Sequence, residues 1–192
     1  MLDEISVLQQ TTVYQNKPPN SAQVVDALLK LEKKAKSKAN DNCSLADLAQ
    51  TWNLRFITGT RKTRKKAGII LGRGKYIPQL VKIQIAYEPQ QQESNKGTVT
   101  NSVKLGLIQL SLTGPIEFIA HKRILAFDFT YLKFSVGKFI LYQGHIKNGL
   151  QKEAEFWQQK IKDRAFFKYF LIKENVIAAR GRGGGLALWV RD

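Results

Sequence analysis

Residues 51–58, TWNLRFIT, place Trp52, Leu54 and Phe56 in alternation with Asn53, Arg55 and Ile57. A period of two is the mark of a strand that commits one face to a core. The same rhythm returns along the chain. Ile83, Ile85 and Tyr87 share a face in IQIAY, as do Val99, Val103 and Leu105, together with Asn101, in VTNSVKL. LIQLSLTG alternates Ile108, Leu110 and Leu112. ILAFDFTYLKF reads as one long strand with Leu125, Phe127, Phe129 and Tyr131 together and Asp128 opposite. KFILYQG adds Phe139 and Leu141, and LALWVR sets Leu186, Leu188 and Val190 on one side. Glu88-Pro89, Asn95-Lys96-Gly97, Thr113-Gly114-Pro115, Val136-Gly137 and GRGGG punctuate these runs with turn chemistry. Many short strands separated by turns predict a mainly β chain, an antiparallel barrel or sandwich.

Two stretches follow a helical period instead. In residues 21–38, Val24, Val25, Leu28, Leu31 and Ala35 recur at three and four positions, with lysines on the other side. Asn20 or Ser21 fits the N-cap after Pro18-Pro19. SLADLAQ suggests a short helical turn, with Ser44 and Asp47 at capping-box spacing. Leu150, Ala154, Trp157, Ile161 and Ala165 predict one helix over 150–165, against the outside of a sheet or across a barrel end. The expected organisation is an N-terminal helical segment, 1–44, and a barrel, 45–192.

Composition sharpens this picture. Of 192 residues, 43% are hydrophobic, which supplies a packed core and argues against disorder. The net charge is +16, so an anionic partner is expected, either nucleic acid or an anionic membrane. Arg61, Lys62, Arg64, Lys65 and Lys66 crowd into six positions after the first strand, and Arg73 and Lys75 follow. Between Leu48 and Tyr87 there are nine basic residues and no acid. The bland reading of these cations is a solvated face. The functional one is docking, at about 1 kcal/mol per basic residue near an anionic bilayer. A single cysteine, Cys43, excludes an internal disulfide framework and a cysteine metal cluster. MLDEISVLQQ resembles neither a secretory signal nor a transit peptide, and no run of 18 apolar residues spans a membrane.

Candidate catalytic parts are sparse. No Ser-His-Asp set, Cys-His pair, metal cluster or carboxylate pair assembles, and His121 and Asp128 stand singly. The expectation is a protein without enzymatic activity or cofactor. GIILGRGKY lacks the Gly-Lys-Ser/Thr ending of a phosphate loop. RGRGGG, 180–185, reads as an RNA-binding element or, more simply, as a turn. FFKYF offers either base-stacking rings or alternating strand burial.

TWNLRFITGTRK, IEFIAHKRILAFDF and RGRGGGLALWVR together resemble the plastid-lipid-associated proteins, or plastoglobule fibrillins. The matching positions are Trp52, Leu54, Phe56 and Thr58; Arg123 leading to Phe127 and Phe129; and Arg180, Gly181 and Gly184 or Gly185 leading to Leu186 and Leu188. The likeness covers residues 45–192. Three features depart from the family: Glu174 is the sole acid shortly before the terminal Arg-Gly, the helix over 150–165 is longer than the family's connection, and the net charge is strongly positive. The resemblance implies a lipocalin-like antiparallel barrel that binds lipid or an isoprenoid, such as a carotenoid or quinone, without catalysis. It also implies peripheral association with a thylakoid membrane or lipid body, in a cyanobacterial cell or plastid, or a cytoplasmic location.

On that reading the barrel lining is Trp52, Leu54, Phe56, Ile83, Ile85, Tyr87, Leu110, Phe127, Phe129, Tyr131 and Leu188, around a hollow or a filled interior. The anionic-surface set is Arg61, Lys62, Arg64, Lys65, Lys66, Arg73 and Lys75. A late arginine, Arg191 or Arg180, is expected to close one end over Trp52. The competing readings are a basic barrel that binds nucleic acid, and a protein-interaction module supporting isoprenoid synthesis or photosystem assembly.

Overall fold

The computed structural model describes residues 4–12, 18–37, 43–59 and 74–191. Eleven strands run in chain order: β1 (Thr51–Thr58), β2 (Gly74–Tyr76), β3 (Val81–Pro89), β4 (Lys96–Leu105), β5 (Ile108–Ile119), β6 (Ile124–Phe127), β7 (Tyr131–Val136), β8 (Phe139–His145), β9 (Ala165–Lys173), β10 (Val176–Gly181) and β11 (Leu186–Val190). Eight of them close an antiparallel barrel in the order β1-β3-β4-β5-β6-β9-β10-β11. The remaining strands hang on this ring, β2 beside the second half of β1, and β7 then β8 beside the first half of β5.

Strand β5 explains the second attachment. Residues 108–113 pair with β7 and residues 116–119 with β6, while β4 pairs with β5 along its whole length. The single strand expected over 124–134 is therefore two strands, parted at 128–130. Each serves a different half of β5. Gly114 sits at the fork, where a Cβ would lie 2.1 Å from the Asp128 carbonyl oxygen. No side chain fits that approach.

Helix α2 (Ser21–Ser37) starts where the sequence places it. The Asn20 side-chain oxygen accepts from the Ala22 N–H at 3.0 Å. Its apolar stripe, Val24, Val25 and Leu28, is buried on the outer face of the barrel against Phe56, Phe170, Ala178, Leu186 and Leu188. Burial of each such side chain stabilises by roughly 1.5–3 kcal/mol. Helix α1 (Glu4–Thr12) adds Val7 and Leu8 to the same cluster, and Lys34 pairs with Glu4 at 2.7 Å. The N-terminal helices thus share a core with the barrel.

The helix expected over 150–165 is broken. Helix α3 (Gly149–Glu155) gives way to 3₁₀ turns at Phe156–Gln158 and Ile161–Asp163. Arg164 holds the break: its Nε donates to the Gln159 carbonyl at 3.0 Å and its guanidinium covers the buried Phe156 ring at 4.5 Å. It also pairs with Glu117 on β5. RGRGGG ends β10 and forms the turn into β11, with Gly184 at φ 81°. Its arginines are used by the fold: Arg180 bonds Glu32, and Arg182 donates to the Asp163 and Arg164 carbonyls at 3.0 Å.

A β-bulge overturns part of the expected lining. Leu54 opposes Trp189 and Phe56 opposes Leu188, so Arg55 is an extra residue on β1. Leu54 and Trp189 face the lumen. Phe56 and Leu188 face outward beneath α2. These two are helix-docking residues, and they leave the lining set.

Candidate functional site

The lumen holds Trp52, Leu54, Ile85, Tyr87 and Phe127, with Ile83 and Phe129 packed against them. Phe118, Phe167, Tyr169 and Trp189, which the strand reading did not select, join them there. The rings touch: Phe127 stacks on Phe167 with centroids 5.0 Å apart, and Phe167 meets Trp189 edge-on at 5.2 Å. Tyr87 and Tyr169 stand on β3 and β9, which lie opposite each other in the ring, and their hydroxyls meet at 2.7 Å. Burial pushes both hydroxyls above the usual tyrosine range. One hydroxyl donates to the other across the bridge.

One end of the lumen is closed by a 3₁₀ turn, Leu45–Leu48, whose two leucines are buried in the core. The Ser44 N–H donates to Asp47 Oδ2 at 2.7 Å, so Asp fills the role of the usual capping-box Glu. Trp52 Nε1 donates to the Leu48 carbonyl at 3.0 Å. The arginines expected over Trp52 are placed elsewhere. Arg180 pairs with Glu32 on α2, and Arg191 lines an outer groove with Gln50 and Lys173.

At the other end the inner face runs on. Strands β3, β4 and β5 extend beyond the ring and continue into β7 and β8 as a five-stranded wing. Directly opposed residues share a face. One row reads Ile83, Val103, Leu110, Phe134, Tyr142, and the next Val81, Leu105, Ile108, Val136, Phe139. Row by row this face is the continuation of Ile85 and Tyr87, hence of the lumen. The reverse face reads Gln84, Ser102, Ser111, Lys133, Gln143 and then Lys82, Lys104, Gln109, Ser135, Ile140. The wing is amphipathic, with an apolar trough that opens from the barrel.

The trough is incompletely covered. Leu110, Leu132, Phe134 and Val136 are half-buried, and Leu105, Ile108, Phe139 and Tyr142 are exposed. Its rim carries Leu107, 71% exposed, and Leu80, 83% exposed. The β4–β5 and β7–β8 turns lie side by side at this rim, joined by the Gly137 N–H donating to the Leu107 carbonyl at 2.8 Å. Gly106 and Gly137 both adopt φ 57°, which glycine takes without strain. An exposed apolar surface of this kind makes the trough the candidate binding face of the described structure.

Of the expected lining, Leu110 lies in the trough. Tyr131 lies on the polar face, its ring edge-on to His145 at 5.3 Å, and so leaves the set. Leu132, Phe134 and Val136 take its place. The break at 128–130 reverses which residues of this stretch face inward, and alternation carried through it selects the wrong side. Of the cationic set, Lys75 is exposed on β2, and Arg61, Lys62, Arg64, Lys65, Lys66 and Arg73 lie outside the described residues.

Apart from the Tyr142 hydroxyl, the side chains of the two trough rows are wholly apolar. Among the described residues no group of His, Cys, Asp and Glu is placed to hold a metal ion, and no helix is long and apolar enough to cross a membrane. No protein-family model matches the chain, and no curated protein matches its sequence.

Proposed function

We propose that this barrel is a non-enzymatic binder of lipid or of an isoprenoid such as a carotenoid or quinone, of the plastid-lipid-associated type. It works peripherally at an anionic photosynthetic membrane or lipid body. The observation that carries this reading is the apolar trough, continuous with the lumen face and open along the wing. The Tyr87–Tyr169 bridge spans the lumen, so the ligand's chain lies in the trough and stops short of threading the barrel. The rim is built to meet a bilayer. Leu80, Leu107 and Phe139 enter its apolar edge while Lys104 and Lys138 stay at headgroup level.

The test is transfer. The protein is mixed with anionic liposomes loaded with β-carotene or a ubiquinone, recovered free of lipid, and its organic extract is analysed by mass spectrometry. Stoichiometric pigment or quinone in the extract, lost in Leu110→Asp, is the expected result. An extract free of both, with no binding to anionic liposomes at low salt, overturns the reading. Salt-dependent binding to single-stranded RNA in the same experiment would then favour the nucleic-acid alternative.

A further inference from the structure

A second concave surface lies outside the barrel, between the C-terminal turn of α2 and strands β6 and β9. It is a groove of about 510 Å³, and four cations converge on it from three elements: Lys36, Lys122 with Arg123, and Lys168. Its floor is apolar, with Ile124 and the buried Phe170. The turn that carries two of these cations is held in place. Arg123 adopts φ 51°, a left-handed conformation uncommon for a residue with a side chain, and its carbonyl accepts the Tyr169 N–H at 2.9 Å. That bond ties the β5–β6 turn to β9 and fixes where Lys122 and Arg123 stand.

Glu32 is the one carboxylate among the described residues that line this groove, and it is already engaged. Arg180 holds it in a two-pronged pair, Nε to Oε1 at 2.7 Å and Nη2 to Oε2, while Arg180 Nη1 donates to the Gly184 carbonyl at 2.7 Å. One fixed carboxylate shared with Arg180 leaves Lys36 and Lys168 a surplus of positive charge facing the groove. A multivalent anion answers that surplus better than a single carboxylate does. Phe170 also lines an adjoining groove of about 610 Å³, which shares Arg123 and includes Leu171 in its lining.

From this arrangement we infer that the groove binds the phosphate headgroup of an amphiphile, with Lys36, Lys122, Arg123 and Lys168 on the phosphate and Phe170 beneath the start of its chain. The inference stands independently of the trough.

The experiment uses the full chain and dihexanoyl phosphatidate, below its micelle-forming concentration, by titration calorimetry at low salt. The control is dihexanoyl phosphatidylcholine, which has the same chains and no net charge. Saturable phosphatidate binding, at least tenfold tighter than the control, is expected. It should weaken at least tenfold in Lys36→Glu/Lys168→Glu, whose exposed positions leave the fold intact by circular dichroism. Lys122→Glu alone gives a second, milder readout. Unchanged affinity in both variants would place the binding elsewhere and overturn the inference, as would equal binding of the control. Glycerol 3-phosphate tests the free phosphate. Weak competition is expected, and affinity equal to phosphatidate would overturn the role of the apolar floor.

Discussion

The hydroxyl of Tyr87 meets the hydroxyl of Tyr169 at 2.7 Å, joining strands that stand on opposite sides of the eight-stranded ring. Both side chains are fully buried, so neither hydroxyl has water to fall back on. Replacing one by Phe strands the other, at a cost of about 1–3 kcal/mol; replacing both removes the problem along with the bond. Tyr169→Phe is therefore expected to be less stable than Tyr87→Phe/Tyr169→Phe. Urea unfolding of the two single variants and the double variant, read as a double-mutant cycle, checks this.

The same pair predicts an alkaline limit. Burial raises both folded-state values above the ordinary 10.0. Above about pH 10 the unfolded chain loses these protons and the folded chain keeps them, so the unfolded state gains. Stability is fully present below pH 10 and falls as pH rises, by about 1.4 kcal/mol per unit for each buried tyrosine. Urea midpoints between pH 9 and 11 should drop, and the double Phe variant should drop less. A flat profile in the parent protein would contradict the buried bridge.

Phe56 is expected to behave as core although it lies outside the barrel. It is fully buried under α2, beside Tyr76 and Leu188. Phe56→Ala should cost about 3–5 kcal/mol. It should also loosen α2, seen as faster hydrogen exchange at Val24 and Leu28, with the lumen cluster unaltered.

Phe56 also shows where reading by alternation stops. The faces of β3, β4 and β5 were legible because each strand keeps its register from end to end. In β1 the bulge at Arg55 turns Phe56 to the opposite face from Leu54, and nothing local in WNLRFIT marks the extra residue. The trough was half legible. Ile108 and Leu110 followed from their own strand, but Leu132 and Phe134 depend on the break at 128–130, which is set by a tertiary partner, β5. Helix α1 was missed because its stability comes from packing Val7 and Leu8 on α2 and the barrel, not from its own pattern.

The fork at Gly114 gives a backbone test. A methyl group there would sit 2.1 Å from the Asp128 carbonyl oxygen, which belongs to the link between β6 and β7 and cannot rotate away. Gly114→Ala should cost about 1–3 kcal/mol, or several degrees of Tm. Gly106→Ala is a poor control because its φ is left-handed. Gly181→Ala, where a Cβ meets nothing closer than 3.7 Å, should cost less.

The trough makes the sharpest functional prediction because its two faces can be altered separately. Leu110 and Phe134 are directly paired on the apolar face, and Gln109 and Ser135 on the polar one. Both positions of the apolar pair are half-buried, so a charge there remains partly hydrated and the fold is expected to survive. The same charge must be stripped of water when a lipid chain covers it, and that cost falls on binding. Leu110→Asp should reduce ligand transfer by an order of magnitude or more, with a much smaller change in Tm. Gln109→Asp, one residue away on the reverse face, should leave transfer close to the parent value. Phe139→Ser at the rim should lower liposome co-sedimentation while the protein still takes up ligand presented in detergent. Equal loss from Leu110→Asp and Gln109→Asp would mean that the wing acts through its charge or its stability, and that its apolar face is not where the ligand lies.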